Sequence, residues 1–173
     1  MEVEIIDNFI SGQDLKNLNR DLTFVMPWYF AMDGKFDTES KQPLSLGCFR
    51  TRENFGSIEN YLIQVLNRRG INTSLIWRSI CNCFRRLDKP NYHQDPGKNS
   101  YMFYLNSEWK REWGAPTKFK SKKYHISRKV IPKPGRLVIF DAKLWHKGTA
   151  PNFLMPSYIA GRFSMVFQEN VSE

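Results

Sequence analysis

At 173 residues, with 41% hydrophobic and 14% aromatic content, the chain is one domain's length and apolar enough to bury a core, which excludes a disordered or fibrous protein. A formal charge of +9 favours nucleic acid, an acidic protein or a small anion as partner without selecting among them. No apolar run approaches the ~18 residues of a membrane span, and the acidic opening Met1-Glu2-Val3-Glu4-Ile5-Ile6-Asp7 lacks the layout of a signal peptide, so a cytoplasmic protein with no membrane partner is expected.

Asp7-Asn8-Phe9-Ile10 reads as a short edge strand. Ser11 then reads as a helix N-cap, with Asp14 three residues on and Leu15, Leu18 and Leu22 at helical spacing. Residues 26–55 look irregular and aromatic-rich, with Trp28, Tyr29 and Phe36 either packed on the core or forming a lid. A second helix is expected from about Ser57 to Arg69, where Ile58, Tyr61, Leu62, Val65 and Leu66 make an apolar stripe closed by Gly70. Cys48, Cys81 and Cys83 are odd in number and lack a complement of zinc ligands, so they read as reduced and structural.

Beyond Gly70 the chain changes to short β-type segments separated by turns. The expected strands are Leu75–Leu87, Tyr92–Asp95, Tyr101–Leu105, Thr117–Lys120, Tyr124–Ile131, Arg136–Phe140, Leu144–Lys147 and Tyr158–Gln168. Such a pattern predicts a mainly β domain with flanking helices: a cupin-like jelly roll, or double-stranded β-helix, buttressed by N-terminal helices. One domain over 1–173 is the simplest reading, with helical support over about 1–74 and the jelly-roll core over about 75–168. Lys118, Lys120, Lys122 and Lys123 read as a solvated hairpin.

His93-Gln94-Asp95 is weak alone, since three histidines and 17 acidic residues in 173 give roughly 0.3 such triplets by chance. On a strand, however, His93 and Asp95 would share a face, at a strand end bounded by Pro90 and Pro96-Gly97. His146 follows the turn and apolar strand Pro134-Gly135-Arg136-Leu137-Val138-Ile139-Phe140, while His125 reads as structural or exposed. Two histidines and a carboxylate can hold Fe(II) on one face and leave the other open. Arg162 and Ser164 share a face of the last expected strand, and Phe163, Met165 and Phe167 would pack on the helical layer. An arginine pointing into a barrel needs an anion, and its fork fits a carboxylate; the other reading is an outward, solvated Arg162.

With these pieces in this order, the chain resembles the Fe(II)/2-oxoglutarate-dependent dioxygenases, in their compact prolyl-4-hydroxylase-like branch, over roughly residues 75–168. Tyr101–Asn106 and Trp113-Gly114 resemble the strand and tryptophan-glycine segment that follow the first metal ligands. The resemblance implies that His93, Asp95 and His146 bind Fe(II) and that Arg162, helped by Ser164, binds the C5 carboxylate of 2-oxoglutarate. It implies O2 as oxidant, release of succinate and CO2, and ascorbate as a supporting reductant. The implied substrate is a prolyl or other residue of a protein or peptide, an acidic one if Arg50, Arg52, Arg85 and Arg86 flank the cleft mouth; no oligomeric state is implied. Two alternatives stay open, an oxidative demethylase of nucleic acid and a non-catalytic cupin-like binding module. The demethylases carry a second arginine six residues after the clamp, where this chain has Gln168. Three departures stand out. Gly114-Ala115 replaces the frequent Gly-Gly, the segment 147–161 is long, and only Phe84 or Cys83 lies near the aromatic expected as a second cosubstrate contact.

Overall fold

The computed structural model describes residues 3–31, 45–120 and 127–171. Helix α1 (Gly12–Phe24) starts where Ser11 predicts: Ser11 is extended and its hydroxyl accepts from the Asp14 amide at 3.2 Å. Leu15, Leu18 and Leu22 then fall on one buried stripe. Helix α2 (Ser57–Arg68) opens with the Gly56 amide donating to Glu59 Oε2 at 3.1 Å. The same carboxylate, buried at the helix start, is neutralised by Arg50 at 3.0 Å. Ile58, Leu62, Val65 and Leu66 form its buried stripe.

The strands are β1 (Val3–Ile6), β2 (Tyr29–Ala31), β3 (Ser45–Thr51), β4 (Ile76–Phe84), β5 (Asn99–Tyr104), β6 (Thr117–Lys120), β7 (Ser127–Val130), β8 (Leu137–Asp141), β9 (Trp145–Lys147) and β10 (Arg162–Glu169). They form two antiparallel sheets, in the orders β1-β8-β5-β10-β4-β3-β2 and β7-β6-β9. Strand alternation divides the core. Phe163, Met165 and Phe167 of β10 pack with Phe103, Leu22, Leu62 and Leu66 on the helical side. Val166 joins Met102, Tyr104, Phe119, Val138 and Phe140 between the two sheets. This is the expected mainly β jelly roll with helices on one face. The three cysteines are free and buried, with Cys48 directly opposite Cys81 across β3 and β4. Among the described residues no helix is long and apolar enough to cross a membrane.

Three local expectations change. The edge strand is β1, paired to β8 from Val3↔Phe140 to Ile6↔Leu137, whereas Asp7–Ile10 turns away. Asn8 takes φ +55 there, a conformation that asparagine tolerates, and the Phe9 and Ile10 amides both reach Gly135 O. In the described parts of 26–55, the irregular reading gives way to β2 and β3, which extend the large sheet beyond β4. Tyr92–Asp95 is not a strand, because Pro90 and Pro96 interrupt a ladder and leave only the isolated bridge His93↔His146. Trp28 stacks on Phe163 at 5.6 Å and donates to Leu22 O, so it belongs to the core and not to a lid. Phe36, Lys122, Lys123 and His125 lie outside the described residues.

Candidate active site

The His93↔His146 bridge, with both amide-to-carbonyl distances at 2.9 Å, brings the 93–95 loop against β9. The two imidazole centroids stand 4.5 Å apart. Asp95 is fixed by its amide on Ala142 O at 2.9 Å and by Ser100 Oγ, which donates to Oδ2 at 2.6 Å. His146 Nε2 is 3.5 Å and His93 Nε2 3.8 Å from that carboxylate. His93 Nδ1 lies 3.1 Å from Asn91 O, and His146 Nδ1 2.9 Å from Leu144 O. A carbonyl only accepts, so each Nδ1 carries a proton, and in the neutral ring Nε2 is then the atom with a lone pair on the Asp95 side. Burial lowers the His146 pKa, which favours this neutral form. One ligand atom from each of His93, Asp95 and His146 therefore lies within 4.8 Å of the others, an arrangement that a divalent cation would satisfy.

The same cavity, of about 200 Å3, is walled by Arg162 and Ser164. Arg162 is 1% exposed, so the outward reading fails. Its Nη1 donates to Ala115 O and Thr117 Oγ1, both at 3.2 Å, and its Nη2 donates to Ser164 Oγ at 3.1 Å. The guanidinium carbon sits 4.6 Å from the Phe84 ring centroid and 5.4 Å from that of Tyr104. Burial pulls its pKa below the usual arginine range. Nε has no hydrogen-bond partner, and no carboxylate pairs with the group among the described residues. A buried cation held only by neutral groups is a receptor for an anion.

Residues 84–166, the stretch carrying Phe84, His93, Asp95, His146, Arg162 and Ser164, match the family model of the 2OG-Fe(II) oxygenase superfamily. Residues 84–166 are a 2OG-Fe(II) oxygenase domain. A Pseudomonas putida prolyl-4-hydroxylase shares its fold at a TM-score of 0.68 and 15% identity, covering 97% of this chain and 92% of that one. A Trichoplax adhaerens prolyl hydroxylase, in complex with a hypoxia inducible factor oxygen degradation domain peptide fragment, gives a TM-score of 0.71 at 13% identity over 97% and 83%. The likeness is therefore prolyl-4-hydroxylase-like in fold. No curated protein matches the chain significantly in sequence. The family's reaction calls for Fe(II), 2-oxoglutarate and O2, and the oxygenase presents a His-Asp-His cluster able to take the metal.

Several residues of the oxygenase's cavity are not legible from motif spacing. Thr117 arrives on β6 of the opposite sheet, and its hydroxyl is also bonded by Tyr104 at 2.8 Å. Gly148 is obligatory by closeness, since a Cβ there would lie 2.5 Å from Phe84 and 2.9 Å from Arg162 Nη2. Phe84 is the aromatic facing the clamp, whereas Cys83 packs in the helical core. The arginines expected at the mouth do not line the cavity. Arg50 is paired to Glu59, Arg52 holds the Thr73 and Ile76 carbonyls, Arg85 pairs with Asp88, and Arg86 donates to Met155 O.

Ala115, where the family often has a second glycine, takes φ +56. A side chain there costs about 1–2 kcal/mol. Ala115→Gly should relieve it, less the added freedom of the unfolded chain, raising stability by about 1 kcal/mol and Tm by about 2–4 °C in a thermal melt. A lowered Tm would mean that the methyl's packing outweighs the strain.

Proposed function

We propose that this oxygenase hydroxylates an unactivated C–H bond of a prolyl or other residue in a protein or peptide, with release of succinate and CO2. The observation that carries the reading is Arg162, a fully buried guanidinium with no carboxylate partner among the described residues, in one cavity with the His-Asp-His cluster. His93, Asp95 and His146 would hold Fe(II), which supplies the oxidising chemistry when bound. Arg162 would fork onto the far carboxylate of 2-oxoglutarate, with the Ser164 and Thr117 hydroxyls fixing the guanidinium plane. Phe84 and Val166 line the same space and would keep water from it. His93, 44% exposed in its side chain against 7% for His146, marks the side from which a substrate would approach. A peptide occupant is supported by the Trichoplax enzyme of this fold, which was solved with one. Ascorbate as an auxiliary reductant belongs to the same proposal.

Anaerobic Fe(II) plus 2-oxoglutarate should give a visible metal-to-ligand charge-transfer absorption that neither gives alone. Succinate production should then be stimulated by proline-containing peptides. A missing absorption band would end the shared-site reading, and turnover confined to methylated oligonucleotides would end the peptide one.

A further inference from the structure

We propose that Arg78, flanked by Trp77 and Phe49, is a subsite that binds an acidic side chain of the substrate peptide next to the residue being hydroxylated; this rests on the peptide reading above. The subsite comes from an irregularity in the sheet. β10 pairs Gln168 with Arg78 and then Glu169 with Ile76, so Trp77 is an extra residue in β4. Such bulges re-aim the side chains beside them. Here the Trp77 ring lies 4.6 Å from the Arg78 guanidinium carbon, and the Phe49 ring of neighbouring β3 lies 5.2 Å from it.

Arg78 lines the cavity of the His-Asp-His cluster, on the face it shares with Ile80, Asn82 and Phe84. Its Nε donates to the side-chain oxygen of Gln168, a buried neutral group. Among the described residues no carboxylate pairs with it, and the one carboxylate whose charge it feels is Asp95, which faces the two imidazoles. The result is a half-buried, oriented cation in the cavity of the cluster, with no anion of its own among the described residues.

The cosubstrate does not supply that anion. Arg78 is six residues along β4 from Phe84, the partner of Arg162, or about 20 Å at ~3.4 Å per residue. On the reading above, the far carboxylate of 2-oxoglutarate would be taken by Arg162 and its other end by the metal held at the His-Asp-His cluster, so neither end is left for Arg78. The remaining source is the substrate. Around Arg78 the open face offers Ile80, Asn82 and the half-exposed Phe49. A single cation among apolar and neutral groups suits one carboxylate beside an apolar side chain. A phosphodiester backbone would call for several cations in a row.

The test uses the enzyme with Fe(II) and 2-oxoglutarate and a set of proline-centred peptides, identical except for Glu, Gln or Lys at each of four positions on either side. Mass spectrometry reads hydroxylation. The expected result is one position at which Glu exceeds Gln by about tenfold in kcat/KM, as expected for a charge-assisted pair. Arg78→Gln should erase that preference at unchanged KM for 2-oxoglutarate, and Arg78→Glu should shift it to Lys. Hydroxylation without any charge preference in the unmodified enzyme overturns the subsite and leaves the peptide reading standing, whatever the variants do. A preference surviving Arg78→Gln, or a rise confined to the KM for 2-oxoglutarate, also overturns it. Turnover of methylated oligonucleotides alone removes both readings.

Discussion

Replacing His146 with alanine will abolish Fe(II) binding and lower turnover by about a thousandfold or more, since the several kcal/mol contributed by the metal are lost with it. His146 is the best-fixed of the three donors. It is held by the backbone bridge to His93, by Nδ1 on Leu144 O, and by the rings of Phe140 and Phe119 at 4.8 and 6.0 Å. The mutation leaves two donors, one of them the half-exposed His93. It also leaves a space in a packed region, costing about 2–3 kcal/mol, so iron content must be read beside a thermal melt. Ser100→Ala gives the graded comparison. It deletes the hydroxyl that orients Asp95 but removes none of the three cluster side chains, and should weaken metal binding by about 10–100-fold. If His146→Ala retained full iron content, the cluster would not be the metal site.

The fold was readable where local chemistry and pattern agree. Ser11 with its leucine stripe, and the 57–69 stripe, each bury one side of a helix, and nothing distant competes. The pairing of Arg162 with Ser164 against Phe163, Met165 and Phe167 follows from strand alternation, which burial on both faces of β10 enforces. His93 and Asp95 do converge, but through a loop pinned to β9 and not through the strand alternation expected of them. Alternation gave the right neighbours for an incorrect reason. β3 has no signature along the chain because its aromatics and glycine carry no clean period, and its place is set by pairing with β4. Thr117, Gly148 and the Ala115 carbonyl reach Arg162 from segments far away in sequence. Such approaches between sheets have no signature along the chain. The bulge at Trp77 is of the same kind, being a matter of register between β4 and β10.

Arg162→Gln will raise the apparent requirement for 2-oxoglutarate by about 30–1,000-fold, corresponding to about 2–4 kcal/mol for a buried charge-assisted pair, and will spare iron binding. The two effects separate because Arg162 bonds to Ala115, Thr117 and Ser164 and to none of the residues of the His-Asp-His cluster. Arg162→Lys should recover only part of the loss, as an ammonium keeps the charge without the planar fork. Without cosubstrate the expectation runs the other way. The native guanidinium is buried with no carboxylate partner among the described residues, and a neutral amide in its place removes a desolvated charge. The shorter side chain gives up contact with Phe84 and Tyr104, so the ligand-free Tm should stay within about 2–4 °C of the parent, as for a net change near 1 kcal/mol. At 2-oxoglutarate about a hundredfold above its dissociation constant, the parent gains about 2.7 kcal/mol by mass action, and Arg162→Gln should gain almost none. A thermal melt with and without cosubstrate reads both terms in one titration. Equal loss of iron and 2-oxoglutarate binding, or a ligand-free protein that melts far below the parent, would make Arg162 a structural residue and leave the cavity without its clamp.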